Sequence, residues 1–160
     1  VYKRQIRFGD GAWHGTQANR IMDAPMSVMC SPALARGLRT MADLARQPLL
    51  RSYRTDEWTA WFEAAGAPCP VVRGAVFDSS LTLAEAAAQG AGMALLPVKM
   101  FARELQQGRL AQPFAQELHR GAYWLTRLQS RTTTGAMAAF RDWLMAQASI
   151  TVGAGAEELG

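Results

Sequence analysis

The sequence predicts an α/β protein, and three observations carry that prediction. Short apolar runs alternate with segments of helical period along most of the chain, as strands interleaved with covering helices do. The alternation is clearest over residues 76–114, which read as strand, polar turn, helix, glycine turn, buried strand, helix. The composition, 49% hydrophobic and 19% charged, is that of a globular protein able to bury its core without disulfides.

Each element follows from its own residues. Residues 26–30 form an apolar strand closed by Ser31 and Pro32. Short helices are predicted over 33–38 and after Thr40, where Thr40 and Asp43 stand at capping-box spacing. Residues 48–53 read as a further strand. Trp58, Trp61, Phe62 and Ala65 then fall at i, i+3, i+4 and i+7, the core face of a helix with Asp56 as N-cap and Gly66 as stop. After a proline-rich turn at 67–70 comes the strand ending at Phe77, then an alanine-rich helix to Gln89. Gly90 and Gly92 bracket the turn into an apolar strand ending at Pro97. Val98, Phe101, Ala102 and Leu105 repeat the helical period up to Gly108. Residues 123–128 form the last strand and Met137, Phe140 and Leu144 mark the last helix. The Gly/Ala-rich end, residues 150–160, reads as a disordered tail.

The 160 residues suffice for one core or two small lobes. The net charge of +4 is modest, and its basic residues, nearly all arginine, are interspersed with acidic ones. There is no basic stripe interleaved with aromatics and no recognition-helix pattern, so these residues are not expected to bind DNA directly. No apolar run approaches the roughly 20 residues that span a bilayer, and no apolar segment follows the basic residues of 1–5. Cys30 and Cys69 stand apart without disulfide or metal spacing, which fits a reduced, cytoplasmic setting. Asp78, Ser80 and His119 invite a hydrolase reading, but no Gly-x-Ser-x-Gly elbow or Ser-x-x-Lys accompanies them. His14 and His119 are too few and too scattered for zinc. Neither an enzymatic activity nor a cofactor or metal is expected.

The chemistry that the sequence does offer lies at Asp78-Ser79-Ser80. A strand-to-helix turn of this kind aims short hydroxyls and the unpaired N–H groups of a helix N-terminus beyond the sheet, a prepared site for an anion. Ser80 is the foremost candidate and Ser79 a weaker one. Asp78 either orients Ser80 or caps the helix. A hydrogen bond to a charged group contributes about 1.5–3 kcal/mol and the helix terminus about 0.3–1 kcal/mol more, magnitudes that suit reversible binding.

The serine-bearing turn, the alanine-rich helix, the strand Gly90-Ala-Gly92-Met-Ala-Leu-Leu96-Pro97 and the exit Gly108-Arg109-Leu110 together resemble the ligand-binding domain of LysR-type transcription regulators. Four further blocks resemble the AmpR-like branch that regulates chromosomal β-lactamase. They are Ile6-Arg-Phe-Gly-Asp-Gly11 with Trp13, Leu49-Leu-Arg-Ser-Tyr53 with Asp56-Glu-Trp58, Val76-Phe-Asp-Ser-Ser-Leu81, and Tyr123-Trp-Leu-Thr-Arg-Leu128. Four separated blocks in the right order are a specific signal, where a lone Gly-x-Gly is not.

The resemblance implies a periplasmic-binding-protein-like effector domain of two α/β lobes, with lobe II complete and lobe I truncated. Residues 1–22 would end a part of lobe I, 23–122 would be lobe II, and 123–149 would return to lobe I. Val1–Gln5 departs from the family pattern and reads as a non-native lead-in to a truncated reading frame. The resemblance also implies a transcription factor of antibiotic resistance and cell-wall recycling. Its effectors would be muropeptides or UDP-linked precursors, its promoter DNA would be bound by an N-terminal domain outside this chain, and it would act as a homodimer or homotetramer. Ser80 and Tyr123 match the family's ligand-contacting serine and tyrosine, while its threonine contact in lobe I lies outside the chain. Arg51, Tyr53, Asp56 and Glu57 would line the lobe II cleft edge or form an exposed polar loop, and Arg7 and Asp10 would pair in a loop of lobe I. With lobe I incomplete, Trp124, Leu128, Met137, Phe140 and Leu144 are expected to lack full cover. A solute-binding protein of transport, or a LysR-type regulator of another small carboxylate, are the alternatives that the fold leaves open.

Overall fold

In the computed structural model, which describes residues 4–154, the elements from Met26 onward follow the predicted order, behind two strands that the sequence reading did not separate. They are β1 (Gln5–Gly9), β2 (Thr16–Asp23), β3 (Met26–Met29), α1 (Pro32–Ala35), α2 (Met41–Ala45), β4 (Arg51–Ser52) and α3 (Glu57–Ala64). Then come β5 (Val76–Phe77), α4 (Ser80–Ala88), β6 (Ala94–Pro97), a 3-10 turn (Val98–Phe101), α5 (Ala102–Gln106), β7 (Ala122–Leu128) and α6 (Gly135–Ala154). They group into two units, residues 4–24 with 120–154, and residues 25–119. The chain crosses between them at 24–25 and 119–120, where the sequence placed the boundaries at 22–23 and 122–123. Hydrogen bonding explains the difference: Ala24 N–H donates to the Gly121 carbonyl at 3.2 Å, which keeps both residues in the first unit.

The first unit is a three-stranded antiparallel sheet in the order β1-β7-β2. Leu125, at the centre of β7, is buried, and the Trp124 indole donates to the Gly9 carbonyl at 2.9 Å. Arg7 lies over the Trp13 ring at 4.5 Å and the Asp10 carboxylate accepts the Ala12 N–H, in place of the ion pair expected between them. Strand β1 begins at Gln5, within the segment read as foreign. Helix α6 leaves Phe140 and Trp143 exposed and Met137 and Leu144 half-buried. It runs to Ala154, past the expected start of the tail at 150, and residues 155–160 lie outside those described.

In the second unit β3 pairs antiparallel with β6, β4 pairs parallel with β5, and a parallel bridge from Leu49 to Met93 joins the two pairs. The strand expected over 48–53 is thus mostly this bridge, with only Arg51 and Ser52 laddered. Leu83, Ala84 and Ala87 of α4 pack with Met29, Leu96, Phe101 and Leu110 in one buried cluster. Trp58, Trp61 and Phe62 are buried core on α3, and the Trp58 indole donates to the Leu50 carbonyl at 2.8 Å.

Candidate functional site

The candidate site begins where β4 and β5 end side by side. In a parallel pair both chains emerge at the same edge, and both here lead into helices, which is where open α/β sheets bind ligands. Ser52 stands opposite Phe77, and Tyr53 N–H donates to the Phe77 carbonyl at 3.2 Å. Three residues later α4 starts.

Ser79, not Asp78, caps that helix. Its backbone is extended and its hydroxyl accepts the Leu81 N–H at 3.2 Å. Asp78 is exposed and lies outside the helix start. Ser80 is the first helical residue, half-buried, and among the described residues nothing hydrogen-bonds its hydroxyl. Asp78, Ser79 and Ser80 are therefore together at the α4 N-terminus. Tyr123 is in the other unit, on the central strand β7, opposite Phe8 and Met22 and edge-on to the Phe8 ring at 5.8 Å.

The β4–α3 turn is tied by a buried carboxylate. Glu57, at the first position of α3, accepts the Ser52 hydroxyl at 2.6 Å and the Arg54 guanidinium at 2.9 Å. Arg54 in turn lies over the Tyr53 ring at 4.7 Å. Asp56 occupies the N-cap position but makes no side-chain cap bond, contrary to expectation. Arg51 turns to the Gly74 carbonyl at 3.3 Å. Ser52 and Arg54 were not singled out in the sequence. The available signal was the i, i+3 spacing of Arg54 and Glu57.

At the other end of α4, Glu85 accepts from Gln89 and Arg109, and these bonds hold its carboxyl below the usual range. A cavity of about 220 Å³ on this flank is lined by Leu81, Ala84, Glu85, Arg109 and Leu110, and by none of the residues 78–80. Burial pushes the Cys30 thiol up to about 11, away from nucleophilic use at neutral pH. His119 is exposed, 3.5 Å from the Glu117 carboxylate. Among the described residues no group of three or more His, Cys, Asp or Glu could hold a metal, and no helix is long and apolar enough to cross a membrane.

Residues 5–149 match the family model of the LysR substrate binding domain. The chain belongs to that family. Among its relatives is the HTH-type transcriptional activator AmpR of Pseudomonas aeruginosa, 54% identical over 147 residues, covering 91% of this chain and 50% of that protein. The solved effector domain of AmpR from Pseudomonas aeruginosa is 52% identical with a TM-score of 0.92, over 97% of this chain and 76% of that one. A Citrobacter freundii effector binding domain carrying three substitutions, threonine to valine, serine to alanine and tyrosine to phenylalanine, is 45% identical with a TM-score of 0.88. It is matched over 91% of this chain and 75% of that one. The chain spans about half the length of the curated relatives it matches. Its mixed α/β fold is that of a LysR effector-binding domain, matched over part of its length; the family match, and not the fold, favours a regulator over a transport protein.

Proposed function

We propose that this chain is the effector-sensing part of an AmpR-like LysR-type regulator that controls β-lactamase expression in response to cell-wall muropeptides. The intact protein binds promoter DNA through an N-terminal domain and works as a homodimer or homotetramer. A peptide carboxylate of the effector sits at the α4 N-terminus against Ser80. Tyr123 is the second contact, and Ser79 and Asp78 shape the turn.

The observation that carries this reading is the division of labour between two adjacent serines. A serine at a helix start is most often a cap, and here Ser79 takes that role. Ser80 is left with an uncommitted hydroxyl beside the first N–H groups of a nine-residue helix. An anion there gains charge-assisted hydrogen bonds and the favourable end of the helix dipole. The substituted Citrobacter domain supports the pairing with Tyr123: its altered serine and tyrosine stand 43 positions apart, as Ser80 and Tyr123 do.

Ser80→Ala in the intact regulator is expected to weaken binding of a UDP-linked muropeptide by roughly ten- to a hundredfold, the loss of one charge-assisted bond. The melting temperature should hardly move, because the cap stays in place. Titration calorimetry measures the first and a thermal melt the second. Unchanged affinity would remove Ser80 from the site.

A further inference from the structure

Tyr53 is 60% exposed, yet its position is fixed from two directions, at its backbone and at its ring. Its N–H is bonded to the Phe77 carbonyl, so the residue sits at the end of the parallel strand pair, beside the turn that leads to Ser80. The Arg54 guanidinium covers part of its ring at 4.7 Å. Arg54 is itself held by Glu57, a buried carboxylate whose second oxygen takes the Ser52 hydroxyl. A solvated surface arginine rarely keeps one geometry, because two long side chains lose rotamer freedom when they pair. Here the buried carboxylate cannot go unpaired without large cost, so Arg54 stays and the ring is held with it.

We propose that Tyr53 is a specificity-determining residue, an aromatic platform on which a sugar ring of the effector stacks while its peptide carboxylate occupies the Ser80 end. This rests on the proposed function and adds to it the part of the ligand read by lobe II. A phenol ring offers a flat apolar face for the C–H face of a pyranose, a contact that a phenyl ring makes equally well. Arg54 and Glu57 are positioning residues, which do not touch the ligand. The platform is preorganised, so little is spent on ordering it when the ligand arrives.

The test compares two probes on the intact regulator by calorimetric titration: a muropeptide carrying its disaccharide, and the same peptide without sugar. Tyr53→Ala should weaken binding of the sugar-bearing probe by about three- to tenfold, the scale of one stacking contact, and leave the free peptide unchanged. Tyr53→Phe should retain nearly all of the affinity. Ser80→Ala should weaken both probes. Tyr53→Ala with full affinity for the sugar-bearing probe, while Ser80→Ala weakens both, overturns the platform and leaves the proposed function standing. Equal loss on both probes also overturns it, because the ring would then read peptide. A wild-type protein that binds neither probe overturns both proposals. Since Tyr53 is mostly in solvent, an unchanged melting temperature in each variant separates lost binding from lost folding.

Discussion

At Gly92 the absence of a side chain decides how two parts of the second sheet meet. A Cβ there would lie 2.3 Å from the Pro48 carbonyl oxygen. That close approach lets Met93 N–H donate to Pro48 O at 2.8 Å and Leu50 N–H donate to Met93 O at 2.8 Å. These are the bonds that join β4 and β5 to β6. The backbone at Gly92 is also at φ 155°, unfavourable for any residue with a side chain. Gly92→Ala is therefore expected to destabilise the protein by about 1–3 kcal/mol or more, as overpacking a close contact does. A urea melt measures it, and an unshifted midpoint would mean that the two strands can separate at no cost. The sequence showed a glycine turn at this point, but Pro48 is far away along the chain and no local pattern could name it as the neighbour. The serines of the candidate site had the opposite difficulty. Both were visible, but which one caps depends on where the helix begins to within one residue, and local patterns do not resolve that. Tyr123 was legible only through the four-block resemblance, since a strand tyrosine carries no signal of its own.

The helix starts show what an element's sequence can and cannot specify. At α2 the capping box is present as read: Thr40 Oγ1 accepts the Asp43 N–H at 3.2 Å, and Asp43 accepts the Thr40 N–H at 2.9 Å. Every partner is local, so the sequence contained it all. At α3 the expected cap, Asp56, gives way to a network through Glu57, Ser52 and Arg54, whose strand partner no helix pattern includes. The α2 box makes a pH prediction. The Thr40 hydroxyl, then the backbone N–H groups of Arg39 and Thr40, hold the Asp43 carboxyl below its usual range. A depressed folded pKa gives stability that is present above the unfolded value, near about 3.9, and is lost as pH falls through the folded value. Melting temperatures of the wild type and Asp43→Ala should therefore differ at neutral pH and converge below about pH 4. A gap that stays constant down to pH 2 would show that the carboxylate's charge is not what stabilises the helix.

Across the molecule, the burial of large side chains is unequal. Residues 25–119 bury Trp61, Phe62, Met29, Leu44, Leu83, Met93, Leu96 and Leu110 fully. In the other unit Leu125 is the only large side chain fully buried among the described residues. Its helix α6 leaves Phe140 at 44% and Trp143 at 56% exposure. The helical period was plain in the sequence, yet a periodic face says only that cover is wanted, not that it is supplied. Each large apolar side chain left in water forgoes about 1.5–3 kcal/mol. Helix α6 should accordingly open at a free energy lower by roughly 3 kcal/mol than β3, β6 and α4, which is about a hundredfold in amide exchange rate. Native-state hydrogen exchange on the 160-residue chain reads this directly. The slowest amides should fall in β3, β6 and α4, next those of β7 around Leu125, and the α6 amides should exchange well before either group. Protection of α6 equal to that of β6 would show that its apolar face is covered in solution, by a second copy of the chain if the equality disappears on dilution.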